Sequence, residues 1–186
     1  LDLVAEIMGS APRLAESLSR HPILLDGVLT QGFFDPLPDA PALGEELQES
    51  LTQGRDFQDA LDIVRRWAND RIFQLGVQML RGRIDPESAG QPLSDVADTP
   101  LRALLPAVES EFERQHGGIP EGGMAVVAFG KLGGRELTVG SDLDLLFVYR
   151  TAPGAESSDG NKALTPTLYY SRLSQRFISA ASAPTG

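Results

Sequence analysis

Up to about residue 116, apolar residues recur at steps of three and four, the repeat that sets them along one face of an α-helix. Ser10 is placed to cap a helix with Pro12 in its first turn, and Leu14 and Leu18 continue one face. Pro22 opens a second, short helix through Ile23, Leu24, Leu25, Val28 and Leu29. Gly32, Pro36, Pro38 and Pro41 mark a loop, after which Leu43 and Leu47 resume the helical repeat. The clearest stripe runs from about Asp56 to Arg81. Phe57, Leu61, Val64, Ala68, Ile72, Leu75 and Met79 share a face there, with Arg65, Arg66, Asn69 and Asp70 largely off it. A loop over roughly 84–90 precedes another helix from about Leu93 to His116, faced by Leu101, Leu104, Leu105, Val108 and Phe112. Pro106 has no N–H to donate and is expected to bend or restart it.

The pattern changes after Gly117-Gly118. Met124 to Phe129 is a short continuous apolar run bounded by glycines, which suits a buried strand. Asp142 to Tyr149 is a second strand candidate, ending in the β-favouring Phe147, Val148 and Tyr149. A polar loop over 151–163 leads to a helical pattern over 166–182, with Leu168, Leu173, Phe177 and Ile178 apolar. The expected fold class is α+β: a helical domain over 1–117, then a small mixed sheet with flanking helices over 118–186.

Composition narrows the function classes. A chain of 186 residues buries roughly 70% of the surface its unfolded form exposes, so it can hold a core. The formal net charge of −10 argues against non-specific binding to nucleic acid or to an anionic membrane. It leaves ATP open, because a divalent cation can bridge acidic side chains to phosphates. With no cysteine, disulfides, thiolate metal sites and cysteine nucleophiles are excluded. No apolar run approaches the ~18 residues of a membrane helix. The first residues are acidic, unlike a signal peptide, and carry no initiator Met, so the chain reads as a piece of a longer cytoplasmic protein.

The chemistry concentrates in Phe129-Gly130-Lys131-Leu132-Gly133-Gly134-Arg135-Glu136-Leu137-Thr138-Val139-Gly140-Ser141-Asp142-Leu143-Asp144-Leu145-Leu146. A strand runs into a glycine-rich turn, and a second strand is expected to open with Asp-Leu-Asp. Side chains alternate along a strand, which would set Asp142 and Asp144 on one face, about 6–7 Å apart. Two carboxylates at that distance repel by roughly 3 kcal/mol at an effective dielectric near 20. A divalent cation between them turns the repulsion into attraction, and oxygen-only ligands suit Mg²⁺ or Mn²⁺. The glycines upstream let backbone N–H groups approach phosphate oxygens. The plain alternative is a hairpin-like turn with two solvated aspartates.

The segment resembles the signature of the DNA polymerase β-like nucleotidyltransferases: hydrophobic-Gly-(Gly or Ser), about ten residues, then Asp-hydrophobic-Asp-hydrophobic. Phe129-Gly130 opens it and Asp142-Leu143-Asp144-Leu145 closes it, with Lys131 standing where the superfamily usually has Gly or Ser. Gly-Lys-Leu-Gly-Gly-Arg-Glu-Leu followed by Gly-Ser-Asp-Leu-Asp-Leu-Leu-Phe-Val-Tyr is similar to the glutamine synthetase adenylyltransferase family, which has Lys at that position. Met8 to Ala15, Arg20 to Asp26 and Tyr169 to Thr185 also resemble family segments, though 126–149 is the specific part.

The resemblance implies a fragment of an enzyme that transfers AMP from ATP to a tyrosine hydroxyl of glutamine synthetase, and so regulates nitrogen assimilation. It implies Asp142 and Asp144 as catalytic metal ligands, with Gly130 and Ser141 contacting phosphate and Lys131 neutralising it. It implies a third carboxylate on a later strand; the chain stops before any such stretch, so it is expected to be crippled by itself. Glutamine and a nitrogen-regulatory signalling protein are the implied regulators. Such enzymes carry two related domains, one adenylylating and one removing AMP by phosphorolysis. The start near Ser10 and the stretch Ile178 to Thr185 look more like the adenylylating copy. The deadenylylating copy, a non-catalytic module docking glutamine synthetase or its regulator, and a transferase with a small-molecule or RNA acceptor stay open.

Walker-type and dinucleotide-type glycine motifs are not matched, and the segment lacks the later ligands of an EF-hand loop. Arg135 and Glu136 fit a structural role better than nucleotide contact, His21 and His116 fit helix ends, and Trp67 fits packing. Arg65-Arg66 reads as a solvated face, and Arg172 with Arg176 as surface charge or a reach toward phosphate.

Overall fold

The computed structural model describes residues 2–30 and 32–182. Leu1, Gln31 and residues 183–186, which end the stretch resembling the adenylylating copy, lie outside the described residues. Three short helices open the chain: α1 (Asp2–Ser10), α2 (Pro12–Arg20) and α3 (Leu24–Val28). Then come α4 (Ala40–Leu51) and the long helices α5 (Phe57–Leu80) and α6 (Gly90–His116). Strand β1 (Gly123–Ala128), one turn of helix α7 (Gly130–Gly133), β2 (Leu145–Arg150) and α8 (Pro166–Ser182) complete it. This mixture of helices with a sheet is α+β, but among the described residues the sheet has two antiparallel strands and is not the mixed sheet expected. Among the described residues no helix is long and apolar enough to cross a membrane.

Side-chain caps start the central helices. Asp39 accepts from the Ala42 amide at the head of α4, and Asp56 from the Asp59 amide at the head of α5. Ser10 does not play the expected part. It is the last residue of α1, and Ala11 precedes α2 without a side-chain cap. The apolar run of α1 continues up to Ser10, and Pro12 begins α2 by itself because its fixed φ suits a first turn.

α6 does not restart at Pro106. It runs as one helix through Pro100 and Pro106. Each proline forfeits one backbone bond. Against that loss, Leu93, Val96, Leu101, Leu104, Val108 and Phe112 are buried along the helix on both sides of the prolines.

Two apolar clusters hold the molecule. The larger joins α4, α5, α6, α7 and α8 with Ile119 and Leu137, and so runs from Leu43 to Ala180 across residue 117. The smaller joins α1, α2 and α3 to the second half of α5 through Ile7, Leu14, Leu18, Leu24, Phe33, Phe73 and Val77. That half of α5 therefore lies between two sets of neighbours, and Phe73 to Gln78 are buried all round. Two of these are amides at i and i+4. Gln74 and Gln78 each donate to the Phe33 carbonyl at 2.8 Å, and Gln78 also donates to the Asp35 carbonyl at 2.9 Å.

The sheet pairs Ala128 with Leu145 and Gly123 with Arg150. One face packs on α8, with Phe147 edge-on to Phe177 and Tyr149 stacked on Tyr170. β1 is thus half-buried rather than the fully buried strand its unbroken apolar run suggests. Val127, Leu146 and Val148 on the other face are exposed.

Candidate active site

The strand reading of Asp142 and Asp144 is corrected: β2 begins only at Leu145. Pairing continues one step further, where the Phe129 amide donates to the Asp144 carbonyl at 2.8 Å. At Gly130 the opposing chain turns away with φ +52 and winds into α7, so no backbone remains for Asp142 to pair with. Both aspartates lie in a short exposed segment that feeds the strand, and their side chains are solvent-accessible.

Gly130 has a steric reason to be glycine. A Cβ there would collide with the Asp144 carboxylate, which lies against the turn. The positive φ adds strain for any other residue. Lys131 follows on α7 and is exposed.

The stretch from Gly134 to Asp144 is irregular but tied at several points. Arg135, at φ +59, pairs with Asp95 of α6 at 3.2 Å and reaches Asp98 at 3.8 Å. It anchors the loop to the helical layer, in keeping with its structural reading. Leu137 is buried in the main cluster. Thr138 and Ser141 then close a turn: the Ser141 amide donates to the Thr138 carbonyl at 2.9 Å, and the Ser141 hydroxyl accepts from the Thr138 amide at 3.0 Å. Ser141 thus shapes the turn directly before Asp142. Arg13, which no local pattern in the sequence ties to this loop, donates from Nη1 to the Val139 carbonyl across 126 positions at 2.5 Å.

Behind this loop lies a cavity of about 730 Å³ walled by α5, α6 and residues 137–141. Leu143 lines it, whereas neither Asp142 nor Asp144 does. Leu143 is thus the residue of the Asp-Leu-Asp step that borders the cavity, while remaining 41% exposed.

The residues outside this loop have structural work. Trp67 is buried and donates to Glu46 Oε1 at 2.6 Å, as packing predicts. His116 is buried against Phe112, with Nδ1 2.7 Å from the Lys162 carbonyl. Arg65 departs from the solvated reading: its side chain is mostly buried between Asp62 and the Ala180 carbonyl, while Arg66 is exposed. Arg176 lies over the Phe57 ring at 5.7 Å, and Arg172 is exposed.

The donor set suits a hard divalent cation. It offers two exposed carboxylates with no sulfur or imidazole beside them in the segment, and a glycine that leaves room for one of them. Among the described residues no group of three or more acidic, histidine or cysteine side chains forms a complete cage. A turn of this kind carrying two open carboxylates fits the class of sites that handle phosphate esters with a cation's help.

Comparison with known proteins gives the family. The model for glutamate-ammonia ligase adenylyltransferase matches residues 1–186. A bifunctional glutamine synthetase adenylyltransferase/adenylyl-removing enzyme of Mesorhizobium japonicum is 46% identical over 185 residues, covering 100% of this chain and 19% of that protein. Enzymes of the same name from Brucella suis and Rhizobium meliloti are 44% and 40% identical, with the same coverage. The chain belongs to the glutamate-ammonia ligase adenylyltransferase family. It spans about 19% of the length of these relatives.

Proposed function

We propose that this chain carries Asp142 and Asp144 as part of an adenylyltransferase centre that moves AMP from ATP to a tyrosine hydroxyl of glutamine synthetase. The observation that carries the reading is the pair of exposed carboxylates directly after the Thr138–Ser141 turn, with Asp144 lying against Gly130. Family membership supports it, since the relatives are named for this transfer. In the reaction the tyrosine oxygen bonds to the α-phosphorus, the bond to the β-phosphate bridge breaks, and pyrophosphate leaves with that electron pair. The phenolic proton passes to a base. Asp142 and Asp144 would hold Mg²⁺ or Mn²⁺, which when bound neutralises the triphosphate charge. Gly130 and Ser141 would contact phosphate, and Lys131 would neutralise its charge.

On this reading residues 1–117 form the helical part and 118–186 part of a nucleotidyltransferase domain, with a third carboxylate supplied from later sequence. The protein works in the cytoplasm, on glutamine synthetase, under a nitrogen-regulatory signalling protein. A second reading has its own support. The relatives' names include adenylyl removal, so this copy could run phosphorolysis instead.

The two directions separate in the full-length protein with Asp142→Asn and Asp144→Asn combined. The transferase reading expects label from α-phosphate-labelled ATP on glutamine synthetase to fall at least ~100-fold, with phosphate-dependent AMP removal kept. The reverse pattern would assign this copy to removal. Loss of neither would end both readings.

A further inference from the structure

Arg13 sits on α2, far from the loop in sequence, yet its Nη1 donates to the Val139 carbonyl at 2.5 Å. The guanidinium also occupies the space beside Gly140. A Cβ on Gly140 would overlap Nη1, and the backbone there stands at φ +77. The contact is aimed from behind. Leu14, the next residue, is buried in the smaller cluster, and its Cδ2 lies 2.5 Å from where a Cβ on Gly76 of α5 would be. A helix-interior glycine is unfavourable by itself, and here it makes the room that lets α2 lie close on α5. Leu18 fixes the same face one turn later.

The other bonds on the turn are internal or nearer its start: Thr138 with Ser141, and Arg135 with Asp95 and Asp98. Among the described residues, Arg13 is the tie that reaches the tip, at Val139, two residues before Ser141. A charged donor on a carbonyl is a stronger restraint than a neutral one.

We infer that Arg13 is a positioning residue that holds the Val139–Gly140 turn, and through it Asp142, in working geometry. The inference rests on the reading of Asp142 and Asp144 as working carboxylates.

The test uses the full-length protein with Arg13→Ala, Arg13→Lys and Gly140→Ala, beside Asp142→Asn. AMP transfer to glutamine synthetase is followed with KM for ATP, and amide hydrogen exchange is read over residues 138–144. Misplacing a reacting group by about an ångström costs up to ~100-fold in rate. Arg13→Ala is expected to lower kcat roughly 10- to 100-fold, to change KM for ATP less than about threefold, and to speed exchange over 138–144 while α5 and α6 stay protected. Arg13→Lys recovers part of kcat, because an ammonium can still donate to one carbonyl. Gly140→Ala reproduces the defect from the opposite side of the contact. Wild-type kcat and wild-type exchange in Arg13→Ala would overturn the inference. So would a loss of kcat accompanied by faster exchange throughout α5 and α6, which would make Arg13 merely structural. Full activity in Asp142→Asn would instead defeat the reading beneath it, and the exchange data would still decide what Arg13 holds.

Discussion

At the scale of single residues, the candidate site stands out in the sequence because it is written locally. Gly130, Ser141, Asp142 and Asp144 fall within one short segment, and a spacing pattern is enough to single them out. What that pattern hides is how the segment is held. The bond from Arg13 joins residues 126 positions apart, and no local rule pairs an arginine with a backbone carbonyl at that distance. β2 starts later than its apolar pattern suggests for a related reason. A strand lasts only as long as its partner, and Gly130 ends the partner.

Tyr169 gives a test at this scale. It is buried, with its ring edge-on to Phe112. Burial foremost, then the nearby Glu113, pushes its phenol up to about 12 from an ordinary 10.0. Between those values the folded chain keeps a proton that the unfolded chain has released. Stability therefore falls as pH rises through that window, and the contribution is complete below pH 10.0. Urea midpoints measured across the window should decline less steeply in Tyr169→Phe than in the parent. Equal slopes would show that Tyr169 is not the group responsible.

At the scale of elements, helical periodicity identified α5 and α6 but only part of what they bury. The expected stripe, Phe57 to Met79, holds best in the first half of α5, where Leu61 and Val64 are buried; Ile72 on it is exposed. In the second half the helix meets both clusters, and buried glutamines replace part of the apolar face because they tie down the Phe33–Asp35 loop. Such an arrangement depends on where α1 to α3 come to rest, which the local sequence does not encode. The change of pattern at Gly117 marks a tight crossing of two chain segments. Gly117 stands at φ +68, and a Cβ on it would strike the backbone of Gly160; a Cβ on Gly160 would strike Gly117 and His116. Asp159 completes the crossing by accepting from the Gly118 amide at 2.8 Å. Gly117→Ala should therefore destabilise the fold by about 2 kcal/mol or more, since backbone cannot give way as a side-chain tip can. Denaturant unfolding of the variant measures this, and a change below about 0.5 kcal/mol would contradict the crossing.

At the scale of the molecule, α4 to α8 and the small sheet share one core. Leu104, Val108 and Phe112 of α6 belong to the same cluster as Leu132, Tyr169 and Phe177. Composition suggests a division near 117, while packing ties the two parts together, because α8 closes on α6 after the chain has made the site loop. The site loop is therefore held by parts of the chain far apart in sequence: α2 at the turn's tip, α6 at its start, and Phe129, just after β1, beside Asp144.

The central claim is that Asp142 and Asp144 act together on a divalent cation in adenylyl transfer. Its most direct test is the Mn²⁺ activation curve of AMP transfer to glutamine synthetase, recorded for the full-length protein and for Asp142→Asn and Asp144→Asn separately. Each substitution removes a charged oxygen ligand, so each should raise the Mn²⁺ concentration for half-activation by about tenfold or more and lower the rate at saturation. Curves that superimpose on the parent in both metal dependence and plateau would contradict the claim.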